Sequence, residues 1–197
     1  MSDRPLTVEA PIDADRWRLR LASLGDVDGV HGLATEPLVY RYLFDAMPPT
    51  RDSIGQVIAR ARRDAVQTGL GLWILTCPAV PYGGCVQLRP DREAKSAELI
   101  YLLHPAQWGR GLATRMAWTV ISKAFAQEID LILAGTDCPN TASLAVMQRL
   151  GMRRHRDVRY PLGNGVEFVL TRADPGPRPA AGAPDHRLRA AGSSQPS

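Results

Sequence analysis

The sequence predicts an α/β fold: one domain with a mixed central sheet, helices on both faces, and the element order βααβββαβαββ. Three observations predict it. Short apolar runs of strand length alternate with longer stretches whose apolar residues recur at helical spacing. A glycine-containing loop joins a strand at 97–103 to the most regular amphipathic stretch of the chain. The 197 residues, 45% hydrophobic and 22% charged, suffice for one proper core.

Taken in order, Arg16-Trp17-Arg18-Leu19-Arg20-Leu21 alternates like a strand with one buried face. Asp26 is placed to cap a short helix bearing Val27, Val30 and Leu33. A second helix follows Thr50, with Ile54, Val57, Ile58, Ala61 and Ala65 on one face, and Gly69 ends it. Two strands, 72–76 and 85–88, flank a Pro81-Tyr82-Gly83-Gly84 turn. After the strand at 97–103 and its loop, Leu112, Ala113, Met116, Ala117, Val120, Ile121, Ala124 and Phe125 form a continuous apolar stripe; Arg110, Thr114, Arg115, Ser122 and Lys123 lie opposite. A buried strand at 131–134 follows, then a helix at 140–150 stopped by Gly151. Two strands, 153–160 and 166–171, close the domain across an Asn164-Gly165 turn. The folded domain thus spans 14–172. From 173 the chain is Pro, Gly, Ala and Ser with almost no large apolar residue, and is expected to be disordered.

Composition excludes several function classes. No apolar run approaches the roughly 18 residues of a membrane span, and residues 1–10 lack the layout of a secretory signal; a cytoplasmic protein with no membrane partner is expected. Three cysteines, Cys77, Cys85 and Cys138, form neither a disulfide framework nor a zinc pattern. The four histidines show no ligand spacing, so no metal is expected. The net charge of +4 comes from arginines scattered along the chain. Without a basic stripe interleaved with aromatics, a nucleic-acid partner is not expected.

The stretch that carries chemistry is Leu102-Leu103-His104-Pro105-Ala106-Gln107-Trp108-Gly109-Arg110-Gly111-Leu112-Ala113-Thr114. Its glycines let successive amide N–H groups turn inward, and the positive end of the following helix adds to them, which makes a site for phosphate oxygens. Arg110 is placed to add a charge-assisted contact. A Walker loop is excluded by the missing Gly-Lys-Ser/Thr. A dinucleotide fingerprint is disfavoured because Asp130 precedes its apolar strand rather than closing it. Two glycines easing strand–helix packing is the remaining alternative.

Gln107-Trp108-Gly109-Arg110-Gly111-Leu112-Ala113 resembles the Gln/Arg-x-x-Gly-x-Gly/Ala coenzyme A loop of the GNAT acyltransferase superfamily. Ala134-Gly135-Thr136-Asp137-Cys138-Pro139-Asn140-Thr141-Ala142-Ser143, with Leu150-Gly151-Met152, resembles that superfamily's second signature. The Asn-x-x-Ser version is similar to the ribosomal-protein-alanine N-acetyltransferase branch, as are Arg18-Leu19-Arg20-Leu21 and Val39-Tyr40-Arg41-Tyr42-Leu43. The likeness covers about 16–172 and is tightest over 97–152.

The resemblance implies a GNAT-like domain that moves an acetyl group from acetyl-CoA to a primary amine, a protein N-terminus or a small molecule, in a ternary complex. It implies that backbone groups of Leu102 and Leu103, where two central strands splay, pair with the pantetheine arm. Amides from Gly109 to Thr114 would hold the pyrophosphate, with Gln107 and Trp108 in the same loop. Asn140 would touch the pantetheine, besides serving as a helix N-cap. Glu98 matches a position that often carries the base in this branch; it shares a strand face with Ile100 and Leu102, so partial desolvation is expected to raise its pKa. Ser143 is the candidate acid, and Cys138 is read as an inert thiol. Ile100 departs from the glycine that relatives often carry and would narrow the acceptor cleft. The segment 40–50, with Tyr42, Phe44 and Asp45, is placed to flank the amine site or simply to pack. A non-catalytic acyl-CoA sensor is the alternative function, and the chain is expected as a monomer or homodimer.

Overall fold

A computed structural model describes residues 17–43, 47–91, 95–161 and 163–177. Arg16, Phe44, Asp45 and the tail from residue 178 lie outside the described residues.

Seven strands form one sheet: β1 Arg18–Leu21, β2 Leu72–Cys77, β3 Val80–Asp91, β4 Ser96–Leu103, β5 Leu131–Asp137, β6 Arg153–Tyr160 and β7 Gly163–Thr171. Their spatial order is β1-β2-β3-β4-β5-β7-β6. Every neighbouring pair is antiparallel except β4–β5, which is parallel and so needs a crossover helix. The helices are α1 Val27–Ala34, α2 Pro37–Tyr40, α3 Arg51–Thr68, α4 Leu112–Ala126 and α5 Thr141–Arg149. The short α2 is an addition to the expected order. Its Pro37 occupies the first turn, where a missing N–H costs nothing.

Strand alternation divides the core in two. Leu72, Ile74, Cys85 and Leu102 point to α1 and α3, meeting Val30, Leu33, Ile54, Ile58 and Ala61. Trp73, Leu75, Val86, Leu88, Leu99, Ile132, Ala134 and Phe168 point the other way, to the α4 stripe and to Val146 and Met147 of α5. Each fully buried Leu or Ile contributes about 2 kcal/mol through apolar burial. Helix α3 ends as its sequence demands: the Thr50 hydroxyl accepts from the Ser53 N–H, and Gly69 takes φ +73°. Val57, expected on its buried face, is exposed instead, because the contact stripe follows Ile54, Ile58, Ala61 and Ala65.

Two expected turns are strand. The β2–β3 reversal falls at Pro78-Ala79, and Gly83 and Gly84 lie inside β3. A Cβ on Gly83 would come within 2.4 Å of the Trp17 ring, and one on Gly84 within 2.7 Å of the Leu102 carbonyl oxygen. Those glycines provide space for close packing, not a reversal. Likewise the last hairpin turns between Tyr160 and Gly163, and Gly165 sits within β7 under the Tyr160 ring. β1 and β6 are the sheet's two edges.

Candidate acyl-coenzyme A site

The parallel β4–β5 pairing is brief: Ser96↔Leu131, Ala97↔Ile132 and Glu98↔Leu133. Beyond Glu98 and Leu133 the strands run on without pairing, to Leu103 and Asp137, and leave a fork in mid-sheet. The Lys95 carbonyl accepts from Asp130 N–H on the β5 side, whereas His104 N–H donates to Gly83 O on the β3 side. The β3–β4 register between them is continuous, so hydrogen-bonded pairs alternate along it. Tyr101 and Leu103 therefore turn their backbone groups into the fork, and Leu102 turns its own to β3. This corrects the expectation for Leu102. The Leu103 carbonyl accepts the Trp108 indole N–H at 2.8 Å, which lays that half-exposed ring at the mouth of the fork.

The loop from His104 to Gly111 carries a short 3-10 turn, Pro105–Gln107, and then two glycines at positive φ, +76° at Gly109 and +71° at Gly111. A Cβ on either would meet nothing within 4 Å; only the backbone conformation calls for glycine there. This argues against the packing alternative. Gly111 is the N-cap of α4 and has no side chain to cap it, and no acidic residue stands in the first turn. The first intrahelical bond is Arg115 N–H to Gly111 O, so the N–H groups of Leu112, Ala113 and Thr114 have no carbonyl within the helix. The Thr114 hydroxyl is buried without a hydrogen-bond partner. An anion at this helix end would satisfy those N–H groups, and the dipole favours it. Leu112 is wholly buried and anchors the first turn. Arg110 donates to Gln107 Oε1 at 2.8 Å and lies 5.9 Å from the Trp17 ring centroid, so its guanidinium is held by protein partners beside the loop.

Across the fork, the Asn140 side chain accepts from Ser143 N–H at 3.2 Å and caps α5, on the same sheet face as α4. The Tyr101 hydroxyl is also on this face, buried and without a hydrogen bond of normal geometry. Burial pushes it up to about 12, while the facing Ser143 side chain and the more distant Arg149 pull the other way. Cys138 is exposed in the loop before Asn140.

On the opposite face Glu98 stands at the crotch of the fork. It is ion-paired with Arg89, its register partner on β3, and its side chain is 41% exposed. Near it the Tyr160 ring spans Gly165 and Gly135; a Cβ on Gly135 would come within 2.0 Å of the Tyr160 hydroxyl. That phenol is raised first by burial, then by the charges of Glu167, Glu98 and Asp137. Tyr101, Tyr160 and Arg89 were not singled out from the sequence. A tyrosine on a strand's core face is the one signal that pointed to the first, since a buried hydroxyl needs a partner.

Residues 16–153 match the acetyltransferase (GNAT) domain family. Among solved structures, a ribosomal L7/L12 α-N-protein acetyltransferase, RimL, in complex with coenzyme A superposes with TM-score 0.71 at 15% identity, over 82% of this chain and 96% of that one. An acetyltransferase from Salmonella typhimurium that modifies the N-terminal serine of ribosomal protein L7/L12 gives 0.70 at 16% identity, covering 82% and 97%. The aminoglycoside-complexed AAC(6')-Ib, with ribostamycin and coenzyme A, gives 0.65 at 20%, covering 79% and 93%. At these identities the likeness is one of fold.

Proposed function

The chain belongs to the GNAT acetyltransferase family, and from that premise we propose that it transfers an acetyl group from acetyl-coenzyme A directly to a primary amine. The observation that carries this reading is the fork in the sheet with an uncapped helix end at its mouth. An extended, amide-bearing arm fits between the parted strands, and a pyrophosphate fits the free N–H groups of Leu112, Ala113 and Thr114. Gln107, Trp108, Gly109, Arg110 and Gly111 shape the loop around it; Asn140 borders the arm from the other side.

The reaction needs a neutral amine and a leaving thiolate. The ammonium gives one proton to the Glu98 carboxylate, competing with Arg89 for it. The free amine attacks the thioester carbonyl, the C–N bond forms, and the C–S bond breaks. The second nitrogen proton ends on the sulfur, with Ser143 near it as the proton donor or its relay. Alignment in one complex lowers the barrier by removing the entropic cost of bringing amine and thioester together. The N-terminal serine that one structural neighbour modifies and the ribostamycin that another binds define the amine panel. Ile100, beside Glu98 on the acceptor face, favours the slimmer of them.

Calorimetric titration with acetyl-coenzyme A, beside a Gly109→Glu/Gly111→Glu variant, tests the binding half. Micromolar affinity falling at least roughly tenfold in the variant is expected, since two carboxylates would meet a pyrophosphate. Thiol release against peptides with free N-termini, aminoglycosides and polyamines then separates an enzyme from an acyl-coenzyme A sensor. A folded wild-type protein that does not bind acetyl-coenzyme A would end the reading.

A further inference from the structure

Resting on the acyl-coenzyme A reading above, we propose that the Tyr101 hydroxyl is a ligand-binding donor for the thioester end of the coenzyme, beside Ser143. Three observations converge on it. Tyr101 follows Glu98 by three residues, in the part of β4 that β5 no longer pairs. Alternation sends its side chain to the face shared by Leu99, Leu103 and α5, opposite Glu98. Its hydroxyl is buried and makes no hydrogen bond of normal geometry, although the Ser143 side chain faces it.

A buried hydroxyl without a partner is a net cost to the free protein, and a phenylalanine would fill the same space without it. The cost disappears when a bound molecule brings an acceptor. The surroundings say which part of the molecule that is. Tyr101 packs against the apolar cluster that includes its strand-face neighbours Leu99 and Leu103, which suits a neutral carbonyl oxygen or sulfur. The anion site at the α4 N-terminus lies beyond the end of β4 at Leu103, past the intervening loop. Because burial pushes the phenol up to about 12, it stays protonated wherever an amine is free to attack. It therefore donates a hydrogen bond to the thioester and to the departing sulfur, with no proton changing hands. Glu98 on one face and the Tyr101–Ser143 pair on the other would then grip the acyl group from both sides of the fork.

Tyr101→Phe is the test, with Ser143→Ala beside it. Thermal melting of the free Tyr101→Phe protein is expected at or above the wild-type temperature. Its affinity for acetyl-coenzyme A and for coenzyme A should fall about 3- to 10-fold, and kcat should fall with it. Affinity for desulfo-coenzyme A and for adenosine 3′,5′-bisphosphate should be unchanged. Ser143→Ala should lower turnover without changing how desulfo-coenzyme A binds. A destabilised Tyr101→Phe protein with wild-type affinities would make Tyr101 a packing residue and overturn the proposal. An equal loss for desulfo-coenzyme A would move its contact elsewhere on the arm and overturn it too. Failure of the wild-type chain to bind acetyl-coenzyme A is a different result, and it removes the functional reading itself.

Discussion

At the scale of single residues the proposed chemistry turns on Glu98. Its carboxylate is ion-paired with Arg89, so in the proposed reaction an incoming ammonium would meet a base already held by one cation. Replacing it with glutamine keeps the shape and removes the charge. Turnover at saturating amine should fall roughly 10²-fold or more, while acetyl-coenzyme A affinity stays as it was. Steady-state rates across pH beside calorimetric titrations check this, and wild-type rates at every pH would remove Glu98 as the base. Its strand face was readable from the sequence, because Glu98, Ile100 and Leu102 alternate with Leu99, Tyr101 and Leu103. The Arg89 partner was not, since it depends on the β3–β4 register, which a single strand does not disclose. Asn140 as a helix cap was legible from residue type and position. Arg110 turning back on Gln107 and Trp17 was not, because Trp17 is remote in sequence.

At the scale of elements, α1 is fixed to the sheet by one buried carboxylate. Asp26 accepts two bonds from Arg20, at 2.8 and 2.6 Å, two from the Ser23 N–H and hydroxyl, and one from the Tyr82 hydroxyl. It makes no side-chain cap to α1; Arg20 and Tyr82 draw it to β1 and β3 instead, which corrects the capping role read from its position. The Arg20 bonds hold the carboxyl well below the usual range, against burial, which works the other way. A depressed folded-state pKa gives stability that is complete above the ordinary value of about 4 and is lost as pH falls through the folded value. Asp26→Asn should cost ~2 kcal/mol near neutrality, about 4–8 °C in melting temperature. The same variant should flatten the wild-type loss of stability below about pH 4. Melts at neutral and acid pH measure both, and a variant with the wild-type acid profile would show that Asp26 is not the linked group. The two misplaced turns share a cause: Gly83-Gly84 and Asn164-Gly165 read as reversals, yet Gly83 and Gly165 give room to Trp17 and Tyr160. Sequence supplies the glycine, and only tertiary contact supplies its reason.

For the molecule as a whole, the fork makes the sheet two halves joined over a short parallel ladder. A coenzyme lying between them should tie the halves together. At one hundred times its dissociation constant it adds about 2.7 kcal/mol, or roughly 5–10 °C in a domain of this size. Hydrogen exchange should locate that gain: the Tyr101 and Leu103 amides slow on binding, while Leu102, already turned to β3, changes little. Slowing confined to Leu102 would mean that the arm runs elsewhere. The element order was readable from apolar periodicity and the two signature stretches, and among the described α-helices the single-turn α2 was missed, being too short to show a period. The fork itself was expected from resemblance alone, because no pattern within either strand reports where two strands stop pairing.

The strand order has a consequence for synthesis on the ribosome. The first four strands are sequential antiparallel neighbours, an arrangement of mostly local contacts that a growing chain can assemble early. The second half cannot close in that way. The last of the described strands to emerge, β7, is not an edge but lies between β5 and β6 and pairs with both. Until Thr171 clears the exit tunnel, β5 and β6 each wait with an open side. A nascent chain arrested shortly before that point would therefore be not a smaller enzyme but half a sheet with exposed seams, a natural client for the chaperones that meet it there.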